Sequence, residues 1–379
     1  MQRERFITVD GKHFHYIWLR DNCLCPKCRD SNSFQKIYDI SEAQSPPEPL
    51  SVVEEDDKLT ITWKEQPIHQ SVFPISWLMA QVNELDTPAE SLSKIILWNK
   101  AEVQKQTTLR HDFHNCDSDV WVNQLFSLGF TILENIQSTK ELESLVCSIG
   151  PIYETYYGRF IPVKPIKGTE AVDLAYSSVY PLLPHTDFTY LNVGRVLQFL
   201  YCVEHNASGG ESIVVDGYRV AKDFRENYPE YFNVLAETPV HFKQFDLHSQ
   251  YYLCNIHPIL KLNQKGEVSE IYFSHKNCKP NLKIDKIESF YEAYRAFFKY
   301  LKSPDYQYCY RLKAGDCLVI QNFRILHGRT AYDANHGTRH LEGIFLDWDY
   351  FKGRHHFKQF QHLYSERQRA DGRRQKVKD

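Results

Sequence analysis

Three residues have the types and spacing to hold one metal ion. His185 and Asp187 stand two apart in the run Pro184-His185-Thr186-Asp187-Phe188, and His327 follows 140 residues after Asp187. Two residues that far apart at a strand end point to the same side, so both can chelate from one face. Two imidazoles and one carboxylate form the facial triad of a non-haem Fe(II) site, with three coordination positions left open. The set contains no thiolate, which favours iron over structural zinc. Taken alone, His-x-Asp is weak, because a chain with 17 His can hold the pair as a surface loop with a local hydrogen bond. The surroundings strengthen it. Arg339, twelve residues after His327, can grip a carboxylate bidentately. A 2-oxoacid that chelates the metal at one end needs such a cation at the other. Ser212, 27 residues after His185, offers a hydroxyl to the same carboxylate.

A second cluster has different chemistry. Cys23, Cys25 and Cys28 place three thiols within six residues. Closed structural zinc sites need four ligands, so one more is required. The competing reading is a set of free thiols in a reducing cytosol. The other seven Cys are scattered and are expected to be small buried hydrophobes. Ten Cys in 379 residues are too dilute for a disulfide scaffold.

These residues need elements to position them. Residues 5–65 read as β, with FHYIWL as a strand and 50–63 as a hairpin turning at Glu54–Lys58. Residues 85–108 mark a boundary. After it, Asp117–Asp119 caps an amphipathic helix over VWVNQLFSLGF, and FTILENI is a strand. Ser138 and Glu141 form a capping box for the next helix, which stops at Gly150-Pro151. Residues 196–205, 211–217, 316–322 and 342–349 are dense in β formers and read as strands. Ile287, Phe290, Tyr291, Tyr294, Phe297, Phe298 and Leu301 repeat at helical spacing, which predicts a helix over 284–302. The pattern suggests a β sandwich or barrel braced by helices.

Composition limits the rest. Apolar residues make 42% and charged residues 25%, which excludes wholesale disorder. A net charge of −3 excludes a strongly basic nucleic-acid binder. No apolar run is long enough for a membrane helix, and the first ten residues lack a signal-peptide core. The expected setting is the cytoplasm, with no nucleic-acid or membrane partner. The last residues, 366–379, read as a basic, frayed tail.

Seven segments carry a resemblance: WLRDNCLCPKC (18–28), YYGRF (156–160), DLAYSS (173–178), PHTDF (184–188), GGESIVVDGY (209–218), NFRILHGRTAY (322–332) and TRHLEGIFLDWD (338–349). Across nearly its whole length the chain resembles the gamma-butyrobetaine and trimethyllysine hydroxylase family, within the taurine-dioxygenase-like 2-oxoglutarate oxygenases. The resemblance implies a double-stranded β-helix (jelly-roll) oxygenase domain over 108–365, behind a small β-rich zinc domain over 1–95. It implies iron on His185, Asp187 and His327, and 2-oxoglutarate on Arg339 with Ser212 as helper. It gives His69 as the fourth zinc ligand beside Cys23, Cys25 and Cys28. It also implies O2 as cosubstrate, ascorbate as reductant and a homodimer. Related iron halogenases lack the carboxylate, so Asp187 favours hydroxylation or desaturation.

For the substrate the resemblance implies an aromatic cage around a trimethylammonium group. Tyr157 and Tyr176 match cage positions, Phe345 replaces a Tyr, and Ile161 replaces an aromatic. A slightly longer run before His185 brings in Tyr180 as a further wall. Where the family has a pair of Asn, this chain reads Ser274-His275-Lys276, and His275 is the expected anion binder. Asp173 stands where Asn is frequent. The expectation is therefore a hydroxylase of a small, gamma-butyrobetaine-like compound. The alternatives are the same chemistry on another small amino acid, a natural-product intermediate or a trimethylammonium phosphonate. A metal-binding interaction protein with a vestigial iron site is the reading from another class.

Overall fold

A computed structural model describes residues 5–43, 45–86, 94–165, 174–247 and 249–357. The expected tail at 366–379 and Asp173 lie outside the described residues. The chain divides into two compact units, 1–93 and 94–379.

The first unit holds β1 (Phe6–Val9), β2 (Lys12–His15), α1 (Tyr16–Asp21), β3 (Pro49–Glu55), β4 (Lys58–Trp63), β5 (His69–Pro74) and α2 (Ile75–Asp86). The hairpin expected at 50–63 is β3–β4. Its turn is Asp56-Asp57, both left-handed, which matches the right-handed twist of the flanking strands. The expected strand over FHYIWL is instead split. The His15 side chain accepts the Ile17 amide and starts α1 at Tyr16. The alternating burial of β4 puts Leu59, Ile61 and Trp63 into a core with Phe14, Leu19 and Phe73.

The second unit opens with α3 (Lys100–Val103), β6 (Arg110–Asp112), α4 (Ser118–Leu128), β7 (Phe130–Glu134) and α5 (Thr139–Ile149). Asp117 caps α4, and Gly129 ends it in the left-handed region. Ser138 caps α5, but the Glu141 carboxylate reaches the Gln137 amide rather than that of Ser138. Then come β8 (Ile161–Val163), β9 (Leu182–His185), β10 (Val196–His205), β11 (Ser212–Asp216), α6 (Gly217–Asn227) and α7 (Pro229–Glu237). A peripheral run follows: β12 (Val240–Asp246), β13 (Tyr251–His257), β14 (Leu260–Leu262), β15 (Val268–Ile271) and β16 (Cys278–Lys279). The chain then forms α8 (Ile284–Lys302), β17 (Tyr308–Tyr310), β18 (Cys317–Gln321), β19 (Ile325–Arg329) and β20 (Arg339–Asp347). The helix predicted over 284–302 is α8.

Two sheets organise this unit. One has the order β6-β7-β18-β10-β20-β8, the other β17-β11-β19-β9. Strand alternation sorts their side chains. On β10, Leu197, Phe199 and Tyr201 pack under α4 and α5, with Trp121, Leu125, Leu142 and Val146. Leu200 and Cys202 face the other way and meet Val214 of β11 and Ile325 of β19 between the sheets. On the far side, Val215 and Leu326 pack with Phe224 of α6 and Phe290 and Phe297 of α8. The scattered cysteines follow position rather than type. Cys202 and Cys317 are buried, while Cys147, Cys254 and Cys309 are exposed, against the expectation of a buried set. Among the described residues no helix is long and apolar enough to cross a membrane.

A buried ion pair ties the entry segment to this frame. Arg324 meets Asp216 at 3.1 and 3.2 Å, and also donates to the carbonyls of Ile96 and Ser127. Asp216 in turn accepts the Trp98 and Tyr218 amides. Both side chains are sealed from solvent. Removing one partner strands the other charge. Arg324→Met is expected to destabilise by about 3–5 kcal/mol in denaturant titration. The Arg324→Met/Asp216→Asn double variant recovers part of that loss; equal loss in both would show the charge pairing to be irrelevant.

Candidate active site

The three metal-type residues converge. His185 ends β9, and Asp187 lies in the turn that follows rather than on the strand. His327 is the middle residue of β19 and pairs with His185 across the ladder. The His185 Nε2–Asp187 Oδ1 distance is 3.3 Å, and His327 Nε2–Asp187 Oδ2 is 3.6 Å. All three donor atoms lie within 4.8 Å of one another. Gly328 makes the close strand approach feasible, since a Cβ there would sit 2.4 Å from the Leu182 carbonyl oxygen.

Their surroundings prepare them as ligands. His185 Nδ1 lies 2.9 Å from the Leu183 carbonyl oxygen, so it carries the proton and leaves Nε2 free to coordinate. Gln198 Nε2 donates to Asp187 Oδ2 at 2.8 Å. Asn322 accepts the Asp187 amide and donates to its carbonyl. Burial works against ionisation of Asp187, yet His327, His185 and Lys276 outweigh it and hold the carboxyl well below its usual range. Burial and the neighbouring His185 push His327 down to about 3, so its imidazole is neutral. The donor set suits a divalent ion of iron's kind.

The triad opens into a cavity between the sheets. Ser212, Arg339, Tyr157, Tyr176 and Phe345 line it, as do Ile161 and Lys276. Arg339 is buried, and its Nε donates to the Gly210 carbonyl at 3.1 Å. Burial and the Arg329 charge push it down to about 10, still protonated at neutral pH. Gly210, at φ +75°, leaves room for it, because a Cβ there would meet Arg339 Cδ at 2.9 Å. Phe345 packs against Phe188 with the rings tilted by 50°, 4.4 Å between ring centres.

Two expected residues are not in that wall. Tyr180 is 62% exposed, and its carbonyl rather than its ring is used, as an acceptor for Arg329. His275 stacks on Phe298 of α8 instead. The turn after β15 presents the next two residues, Lys276 and Asn277, to the cavity. Asn277 is fixed there by Gln244 and the Lys243 carbonyl. Sequence reasoning missed these two, and also Gln198 and Asn322. Gln198 did leave a signal, as the single polar residue inside the buried run VLQFLYC.

The second cluster is equally compact. His69 Nε2 lies 3.3, 3.7 and 3.5 Å from the sulfurs of Cys23, Cys25 and Cys28. Zinc bonds of about 2.3 Å to sulfur and about 2.0–2.1 Å to nitrogen, at the tetrahedral angle, separate S and N by about 3.5 Å. The four donors could therefore hold zinc with little movement. Burial and Cys23 push the Cys28 thiol up to about 12, so that thiol ionises readily only around a cation. Arg20, ion-paired with Glu65, donates to the Cys28 sulfur at 3.4 Å.

Comparison with known proteins agrees with this layout. Residues 102–345 match the model of the taurine catabolism dioxygenase TauD, TfdA family. Residues 6–79 match the gamma-butyrobetaine hydroxylase-like N-terminal family. The chain is 29% identical to a gamma-butyrobetaine dioxygenase of Pseudomonas sp. (strain AK-1), over 90% of each chain. It is 29% identical to the human gamma-butyrobetaine dioxygenase, over 88% of each. With the mitochondrial trimethyllysine dioxygenase of Bos taurus it shares 27% identity, over 89% of this chain and 80% of that one. The first family match spans well over half of the sequence, so the chain belongs to the TauD, TfdA family of dioxygenases.

Proposed function

We propose that this dioxygenase uses Fe(II) and 2-oxoglutarate to hydroxylate a small molecule with a quaternary ammonium at one end and an acidic group at the other, of the gamma-butyrobetaine kind. One observation carries the reading: the triad, Arg339 and the aromatic wall line a single cavity. His185 and His327, through Nε2, and Asp187 would hold the iron. Iron bound there with 2-oxoglutarate and O2 supplies an oxidative decarboxylation that yields succinate and oxidises a C–H bond. Arg339 would hold the distal carboxylate of 2-oxoglutarate, with the Ser212 hydroxyl beside it. Gln198 keeps one Asp187 oxygen in place. The two facing sheets would then be the halves of a double-stranded β-helix.

For the substrate, Tyr157, Tyr176 and Phe345 offer π faces to a trimethylammonium group. Lys276, rather than His275, would meet the acidic end. Ile161 in the wall and Lys276 in place of an amide favour a second reading, in which the substrate is another small amino acid or a trimethylammonium phosphonate. Zinc on Cys23, Cys25, Cys28 and His69 would be structural, since a closed four-ligand site has no open position. Ascorbate as reductant, a homodimer and a cytoplasmic setting belong to the same reading through its family resemblance.

The test is succinate formation by the purified protein with Fe(II), ascorbate, 2-oxoglutarate and O2. The panel holds gamma-butyrobetaine, trimethyllysine, trimethylaminoethylphosphonate and their unmethylated analogues, with His185→Ala as blank. Turnover confined to trimethylated compounds supports the cage; turnover only without them removes it. No 2-oxoglutarate binding at all by the iron-loaded protein would defeat the enzyme reading. Arg339→Met is expected to raise the KM for 2-oxoglutarate roughly 10- to 150-fold, the loss of a charged hydrogen bond. Gln198→Leu is expected to weaken Fe(II) affinity by about 10- to 100-fold.

Metal analysis addresses the other site. The protein as purified is expected to carry one zinc besides iron, released in Cys28→Ser together with loss of folding in the first unit. A fully folded, zinc-free Cys28→Ser protein would remove zinc from the account.

A further inference from the structure

Arg329 belongs to none of the roles above, yet it is one of the most deeply buried charges in the unit, 2% exposed. It follows His327 by two residues on β19, so its side chain emerges on the same face of the sheet. Among the described residues it forms no ion pair. Its two terminal nitrogens donate to backbone carbonyls instead, three of them in one short stretch, while Nε is buried without a hydrogen-bond partner. Nη1 donates to the Tyr180 carbonyl at 3.0 Å and to that of Thr330 at 3.1 Å. Nη2 donates to Leu174 at 3.3 Å and to Ser177.

That stretch matters because of what it carries. Residues 174–180 contain one 3-10 turn, Leu174–Tyr176, and precede β9. None of them pairs in a strand. Tyr176 and Ala175 line the cavity. The Tyr332 amide also ties the stretch to the frame, donating to the Ser178 carbonyl at 3.0 Å. The Tyr332 ring lies under the Arg329 guanidinium, 4.9 Å away, and within 5.9 Å of Arg339. A buried guanidinium without a carboxylate partner is costly unless its donors are met, and a planar fork can meet several carbonyls at fixed angles. A Lys could not span the same acceptors.

We propose that Arg329 is a positioning residue that clasps residues 174–180 and so fixes Tyr176 as part of the substrate wall. It links the strand bearing His327 to the cavity lining by side chain–to–backbone bonds. The identity of Tyr176 as a substrate contact rests on the reading given under Proposed function, but the clasp itself does not.

Two measurements on the full-length protein separate these. The first is hydrogen exchange of the 174–180 peptide in Arg329→Met and Arg329→Lys, without added ligands. Exchange there is expected to speed up roughly tenfold or more, from the loss of several charged hydrogen bonds, with β10 and β18 unchanged. Wild-type exchange at 174–180 in a folded variant overturns the clasp. If Arg329→Met does not fold, Arg329→Lys decides, since it keeps the charge and loses the fork. The second uses gamma-butyrobetaine as probe. Arg329→Lys is expected to raise its KM about tenfold, as Tyr176→Ala does, and to leave the KM for 2-oxoglutarate within twofold. The two changes combined are expected to be no worse than either alone, because both act through one contact. Full additivity, or a raised KM for 2-oxoglutarate with that for gamma-butyrobetaine unchanged, overturns the positioning role. A silent Tyr176→Ala beside altered exchange would overturn only the substrate wall and leave the clasp standing.

Discussion

The site depends on one cross-strand pairing, His185 opposite His327. β9 is only four residues long, and its ladder with β19 is interrupted just beyond the histidines. A strand slipped by one residue would turn every side chain to the other face. Here that would send His327 under α6 and α8 and put Leu326 at the metal position. Gly328 lets the two backbones close up, and Asn322 holds the Asp187 backbone from both sides. The triad is therefore set by main-chain register first and by side-chain rotamers second.

The same alternation explains why the cavity stays open. Outward residues of β10 and β18 are large and apolar and fill the space under α4 and α5. Inward positions near the triad include polar or small residues, Gln198, Ser212 and Gly343, beside Leu200, Leu318 and Leu341. The sheets pack together at the level of Val214 and Ile325, and the space between them opens into the cavity at Leu200. The helices stabilise the sheets from outside, so polar residues inside can be used for binding.

Most of the sandwich was legible in the sequence because strands buried on both faces leave long apolar runs, as VLQFLYC and CLVIQ do. α8 was legible because seven apolar positions share one face. The convergence of His185, Asp187 and His327 was legible through type and spacing. The errors are local and physical. FHYIWL is rich in β formers, but the His15 cap diverts the chain into a helix. Tyr180 sits near the cavity in sequence, yet its stretch has no strand period to say which way a ring points. His275 and Lys276 are adjacent in a turn, where one residue's difference in direction exchanges the cavity wall for the face packed on α8. Turn geometry of that kind comes from partners far away, here Gln244 and Lys243 holding Asn277, and a linear reading does not contain them.

The charges around the cavity give a last constraint on what it accepts. Among the described residues Asp187 is the one carboxylate that lines it, against Lys276, Arg329 and Arg339. In a largely buried setting, such an excess of positive charge is less favourable until anions enter. On the proposed reading a dicarboxylate cosubstrate would answer part of it, at Arg339, and a divalent cation on the triad would increase it again. A purely cationic substrate would enter against this field whatever its attraction to the aromatic wall, whereas a zwitterion brings its own counter-charge to Lys276. On the proposed reading, then, the aromatic residues select the ammonium end, but the cations decide that the molecule must also carry an acid.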